Sequence, residues 1–145
     1  MKVFLTKNST KKELRSLMKI LAKNCEVKKL HFNNQATKVR GLYDYNKSSI
    51  FIDNKQTKKN MLLTFFHELA HHKATKTASI QSRYHKGTIE VKPKHAFLLE
   101  NKTDKLASTL WKQHVDINVW GKYKYVYPKT QKNMLTKWLK KYYKQ

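Results

Sequence analysis

The stretch Asn60-Met61-Leu62-Leu63-Thr64-Phe65-Phe66-His67-Glu68-Leu69-Ala70-His71-His72 decides how this chain is organised. It is an apolar run without Pro or Gly, and it predicts a buried helix that starts near Lys58. At 3.6 residues per turn, His67 and His71 then face the same way. Two imidazoles one turn apart with a carboxylate between them form the pattern His-Glu-x-x-His. In it the histidines hold zinc and the Glu handles the proton of a water that the metal activates. His72 points about 100° away from His71 on such a helix and reads as a surface or packing residue.

A catalytic zinc takes three protein ligands and keeps one position open, so a third ligand must come from elsewhere in the chain. Glu100 is preferred, because Glu100-Asn101-Lys102-Thr103-Asp104 sets two carboxylates one turn apart on a helix expected to pack against the first. Asp104 would then accept the spare ring N–H of a ligating histidine and fix its tautomer. His85, in Tyr84-His85-Lys86-Gly87, is the alternative metal ligand, and His95 a weaker third. Glu68 cannot share the face of both histidines as a ligand, but it can reach the water as general base. The oxyanion also needs a donor, for which Tyr84, His85 and Tyr43 are candidates.

Around this helix the pattern is mixed. Thr10-x-x-Glu13 is a capping box, and Leu14, Leu17, Met18 and Leu21 follow at helical spacing, which predicts a helix over 10–24. Residues 27–32, 37–44 and 49–53 are short runs rich in β-branched and aromatic side chains, and the last two should pair as a hairpin. Residues 73–94 are polar and contain Gly87 and Pro93, and are read as a loop or short hairpin over the site. A helix over 95–115 carries Leu98, Leu99, Leu106, Leu110 and Trp111. Residues 119–127 are a strand candidate. A basic terminal helix follows Pro128, with Leu135, Trp138, Leu139 and Tyr142 on one face. The order predicts an α+β fold with a short sheet, partly antiparallel, packed on helices.

Residues 1–145 read as a single domain, since no Gly-, Pro- or Ser-rich linker divides them and 39% hydrophobic content suffices for one core. The single cysteine, Cys25, excludes an internal disulfide and a cysteine-based zinc ribbon, and reads as a small core or boundary residue. Lysine interrupts the amino terminus before any signal-peptide core, and no apolar run reaches membrane-spanning length. The expected location is the cytoplasm. The net charge is +23, from 32 Lys plus Arg against 9 Asp plus Glu, and such a field attracts polyanions. Only Arg15, Arg40 and Arg83 are arginines, so any nucleic-acid binding should go to phosphate rather than to base edges. Lys137, Lys140, Lys141 and Lys144 of the terminal helix are the first candidates for it.

Gly41-Leu42-Tyr43-Asp44, Ser49-Ile50-Phe51-Ile52-Asp53, the helix ending in Thr64-Phe65-Phe66-His67-Glu68-Leu69-Ala70-His71, and Leu99-Glu100 through Asp104-Lys105-Leu106-Ala107 together resemble the ImmA/IrrE-type metallopeptidases. That family is similar to the gluzincins in using a downstream Glu as third zinc ligand. The resemblance covers roughly residues 37–110. It implies a small zincin fold and an intracellular zinc endopeptidase whose substrate is a DNA-associated regulatory protein, such as a phage or mobile-element repressor. Ala70 stands where such families often have Gly, and Thr103 where they often have Ala. SprT-type metalloproteases, which act on proteins on DNA, are the rival family and would favour His85 as third ligand. Two readings from other classes are a non-enzymatic basic nucleic-acid-binding protein and a partner or membrane-surface module using the tail helix.

Overall fold

Thr10 and Glu13 close the start of the first helix reciprocally. The Thr10 hydroxyl accepts from the Glu13 backbone N–H at 3.1 Å, and the Glu13 carboxylate accepts from the Thr10 N–H at 3.2 Å. This helix, α1 (Lys11–Asn24), stops where Glu26 turns left-handed, with φ 62°. The N–H groups of Glu26 and Val27 donate back to the carbonyls of Lys23 and Ala22, at 3.0 and 2.9 Å, in a Schellman arrangement. Leu14, Met18, Leu21 and Ala22 form the buried face. The computed structural model describes residues 6, 8–33, 40–45, 47–75 and 93–125, and of 93–99 only the backbone.

Three strands follow: β1 (Lys29–Asn33), β2 (Gly41–Asp44) and β3 (Ser49–Asp53). The hairpin expected from the sequence forms, with β2 antiparallel to β3, and β1 lies parallel to β3 on its other side, giving the order β1-β3-β2. The register puts Leu30, Ile50 and Tyr43 in one row and Phe32, Ile52 and Gly41 in the next. Ile50 and Ile52 are fully buried, and Leu30, Phe32 and Tyr43 pack on the same core. The opposite face carries the row His31, Phe51 and Leu42, where the first two rings stack 4.6 Å apart.

The helix α2 (Lys58–Ala74) is buried without a break from Met61 to Ala70. A helix apolar all round belongs in the centre, and α2 packs against β2, β3, α1 and a third helix, α3 (Pro93–His114). Phe66 meets Trp111 of α3 edge to face, with centroids 5.6 Å apart. On α3, Thr103, Ala107, Leu110 and Trp111 are buried at helical spacing, and Glu100 and Asp104 continue that stripe toward its N-terminal end. The fold is α+β, with four helices and a three-stranded mixed sheet among the described residues. None of the described helices is long and apolar enough to cross a membrane.

One expected element differs. Within the strand candidate 119–127, the described part is not a strand. Asp116 caps a short helix, α4 (Ile117–Trp120), by accepting from the Asn118 N–H at 2.9 Å. Gly121, at φ 81°, then ends it, and its carbonyl accepts from the Trp111 ring N–H at 2.9 Å. The alternating tyrosines after it imitate a strand pattern, but they turn onto the helices instead of pairing with the sheet. The loop 73–94 begins and ends inside helices, since Lys73 and Ala74 belong to α2 and Pro93 and Lys94 to α3. Its residues 76–92, which include Tyr84 and His85, lie outside the described residues, as does the stretch expected to form the terminal helix, with Lys137, Lys140, Lys141 and Lys144.

Candidate metal centre

The unbroken burial of α2 from Met61 to Ala70 encloses His67, and His71 follows at its edge. His67 is 3% exposed and His71 12%. Their Nε2 atoms lie 3.2 Å apart. From α3, Glu100 brings Oε2 to 3.4 Å from His71 Nε2 and 3.9 Å from His67 Nε2. His67, His71 and Glu100 form a group able to hold a metal ion.

The spacing of the donor atoms bears this out. Ligands about 2.0–2.1 Å from a common zinc at tetrahedral angles sit about 3.3–3.4 Å from one another. Two of the three observed separations match within about 0.2 Å, and the third is about half an ångström long, within reach of a Glu rotation. Two imidazoles and one carboxylate also suit a transition metal better than calcium or magnesium, which prefer oxygen alone. The residues present fit the group.

Asp104 lies one turn beyond Glu100. Its Oδ1 accepts from His67 Nδ1–H at 2.8 Å, which leaves the Nε2 lone pair of His67 facing Glu100 and His71. Glu68 sits between the two histidines and is 5% exposed. Burial pushes its carboxyl above the ordinary value, with Glu100 adding to the rise, while His71 and His67 oppose it. For His71, burial works against the charged ring, but the hydrogen-bonded Glu100 carboxylate, with Glu68 and Asp104 behind it, outweighs burial and the net direction is upward.

Gly41 fixes how closely the sheet approaches Glu68. A Cβ there would overlap Thr64 Cγ2 and come within 3.3 Å of Glu68 Cγ, so only glycine lets β2 press across this turn of α2. His72 belongs to the packing. It is 3% exposed, donates from Nε2–H to the Cys25 carbonyl at 2.9 Å, and accepts at Nδ1 from the Tyr43 hydroxyl at 2.9 Å. Tyr43 is thereby committed to His72, which removes it as a candidate oxyanion donor. His95 lies in the first turn of α3.

Two residues at the site carry no motif in the sequence. The Tyr123 hydroxyl donates to Asp104 Oδ1 at 3.1 Å and lies 3.5 Å from His67 Nδ1. Tyr125 lays its ring flat on the His67 imidazole, with centroids 4.1 Å apart and planes 8° from parallel. Its hydroxyl is pushed well above the usual phenol range, first by burial and then by the nearby Glu68 carboxylate. Their only signal is a pair of tyrosines two residues apart after a glycine, which is indistinguishable from a strand. In comparisons with known protein families, curated proteins and solved structures, the chain matches none.

Proposed function

We propose that this chain is a zinc-dependent endopeptidase of zincin-like fold, similar to the ImmA/IrrE-type metallopeptidases. Its proposed substrate is an intracellular DNA-associated regulatory protein such as a phage or mobile-element repressor. The observation that carries the reading is Glu68. This buried carboxylate is no member of the His67, His71 and Glu100 group, yet it lies close enough for its charge to couple to all three. An acid placed so serves proton transfer rather than coordination.

His67, His71 and Glu100 would hold a zinc ion, whose chemistry when bound would be Lewis acidity toward a peptide carbonyl and a water. Glu68, made more basic by burial, takes a proton from the attacking water as its oxygen bonds to the carbonyl carbon. It then returns that proton to the amide nitrogen as the C–N bond breaks. Asp104 holds the His67 ring in the tautomer whose Nε2 faces the group. β2 runs past Glu68 and, among the described residues, pairs on one side only, with β3, so its other edge suits an extended peptide added as a further strand. The convergence of Glu100 with the two histidines supports the Glu-liganded reading, while His85 lies outside the described residues.

The substrate class draws on the charge of +23, which favours partners held near nucleic acid. The test is cleavage of a repressor encoded beside this gene, followed on a gel. Zinc-loaded wild type is expected to cleave it. Chelated protein and Glu68→Gln should lose at least the roughly 10²–10⁴-fold typical of general-base removal. Full cleavage by the Gln variant would sink the mechanism.

A further inference from the structure

Tyr123 and Tyr125 reach the metal centre from a segment that belongs to neither ligand-bearing helix. The chain leaves α4 through Gly121, and the Trp111 ring N–H pins the Gly121 carbonyl at 2.9 Å. The Trp111 ring stands edge-on to Tyr123, with centroids 6.1 Å apart. From that anchor, Tyr123 meets Asp104 at 3.1 Å, and the same Asp104 oxygen receives the His67 ring N–H at 2.8 Å. One carboxylate oxygen thus accepts two donors, one from the phenol and one from the imidazole. Tyr125 covers the face of that imidazole.

We propose that Tyr123 is a positioning residue of the metal centre, acting through Asp104 to hold the His67 ring in its metal-binding orientation. The proposal rests on the metal-centre reading above. Asp104 is 24% exposed, so water competes for its carboxylate. Each protein donor on Oδ1 narrows the orientations that the carboxylate can take, and one from a residue anchored on Trp111 favours those in which the His67 bond is short and straight. The Nε2 lone pair of His67 then faces Glu100 and His71 without an ordering cost at the moment of binding. Tyr123→Phe removes only the O–H and keeps the ring against Trp111, so it separates this role from packing.

The experiment is a double-mutant cycle on zinc affinity, read by competition with a chromophoric chelator for the full chain. It uses wild type, His67→Ala, Tyr123→Phe, Asp104→Ala and the Tyr123→Phe/Asp104→Ala pair, each checked for folding by thermal melting without metal. Asp104→Ala is expected to weaken zinc about 10–100-fold, and Tyr123→Phe about tenfold, at the lower end of that range. In the Asp104→Ala background the Tyr123 change should have no further effect, because its route to His67 is gone. Wild-type affinity in Tyr123→Phe would overturn the proposal, and so would an equal loss in both backgrounds. If His67→Ala binds zinc as well as wild type does, the metal-centre reading itself fails and takes this proposal with it. That outcome is distinct from the other two.

Discussion

Glu68 is the residue whose burial the proposed mechanism uses at the expense of stability. Its carboxyl is raised by burial, so in metal-free protein the folded state holds the Glu68 proton more tightly than the unfolded state does. The stability this group contributes is therefore full below the ordinary carboxyl value of 4.5 and is lost as pH rises through the raised folded value. Gln carries no such loss. Glu68→Gln is expected to melt above wild type at neutral pH in the presence of chelator, because the amide has no charge to bury. The gain should shrink toward zero as pH falls below the ordinary carboxyl range. A gain independent of pH, or a loss at neutral pH, would contradict the burial argument. His67, Glu68 and His71 are legible in the sequence because their spacing on an apolar helix carries its geometry with it. Glu100 and Asp104 are legible for the same reason, since they continue the stripe that ends in Ala107 and Trp111. Tyr123 and Tyr125 are not, because their contacts depend on where the chain goes after Gly121. No local period encodes that path.

At the scale of elements, the site depends on how the sheet and α2 are clamped together, and two residues dominate the clamp. Gly41 lies where β2 crosses the turn from Thr64 to Glu68, and any side chain there must displace one or the other. Gly41→Ala is expected to destabilise by about 1–3 kcal/mol, as overpacked sites do, and to lower activity more than zinc content, because it pushes on Glu68 rather than on the ligands. Titration of zinc alongside a melt separates the two effects. His72 ties the end of α2 to β2 through Tyr43 and to the end of α1 through Cys25. His72→Ala should cost about 2–4 kcal/mol, from a cavity and two polar groups left without their partner, while the folded fraction still binds one zinc. A loss of zinc with no loss of stability would make His72 a ligand instead. The capping box, the hairpin and the apolar helix are all legible, since each is written in residues within a few positions of one another. The parallel pairing of β1 with β3 is not, because it joins strands separated by the whole of β2. The short helix at Ile117–Trp120 passes for part of a strand because its cap, Asp116, precedes only one turn of helix before Gly121.

For the molecule as a whole, the chain carries a net charge of +23, and its effect depends on how it is distributed. The exposed lysines of the described residues lie on several elements. Lys12, Lys19 and Lys23 lie on α1, Lys28 and Lys29 at the start of β1, Lys47 and Lys55 in the turns flanking β3, Lys59 and Lys73 on α2, Lys102, Lys105 and Lys112 on α3, and Lys122 and Lys124 beside the two tyrosines. A field spread in this way attracts a polyanion without choosing a sequence. Duplex DNA is therefore expected to bind without sequence preference, with affinity falling about 10³–10⁵-fold between 50 and 200 mM salt if six to ten phosphates are engaged. Replacing Lys137, Lys140, Lys141 and Lys144 with Gln tests how much of this lies in the tail. The slope of log affinity against log salt falls by about 0.9 for every phosphate no longer neutralised, so a tail that engages four phosphates lowers it by about 3.6. An unchanged slope would place the DNA-binding surface on the helices and strands instead. The binding should also survive chelation and Glu68→Gln, because the metal group contains no lysine, whereas cleavage should survive neither. If chelation abolishes DNA binding together with cleavage, the metal centre and the basic surface are one site. If salt leaves the affinity flat, the charge plays no part in reaching a DNA-bound substrate.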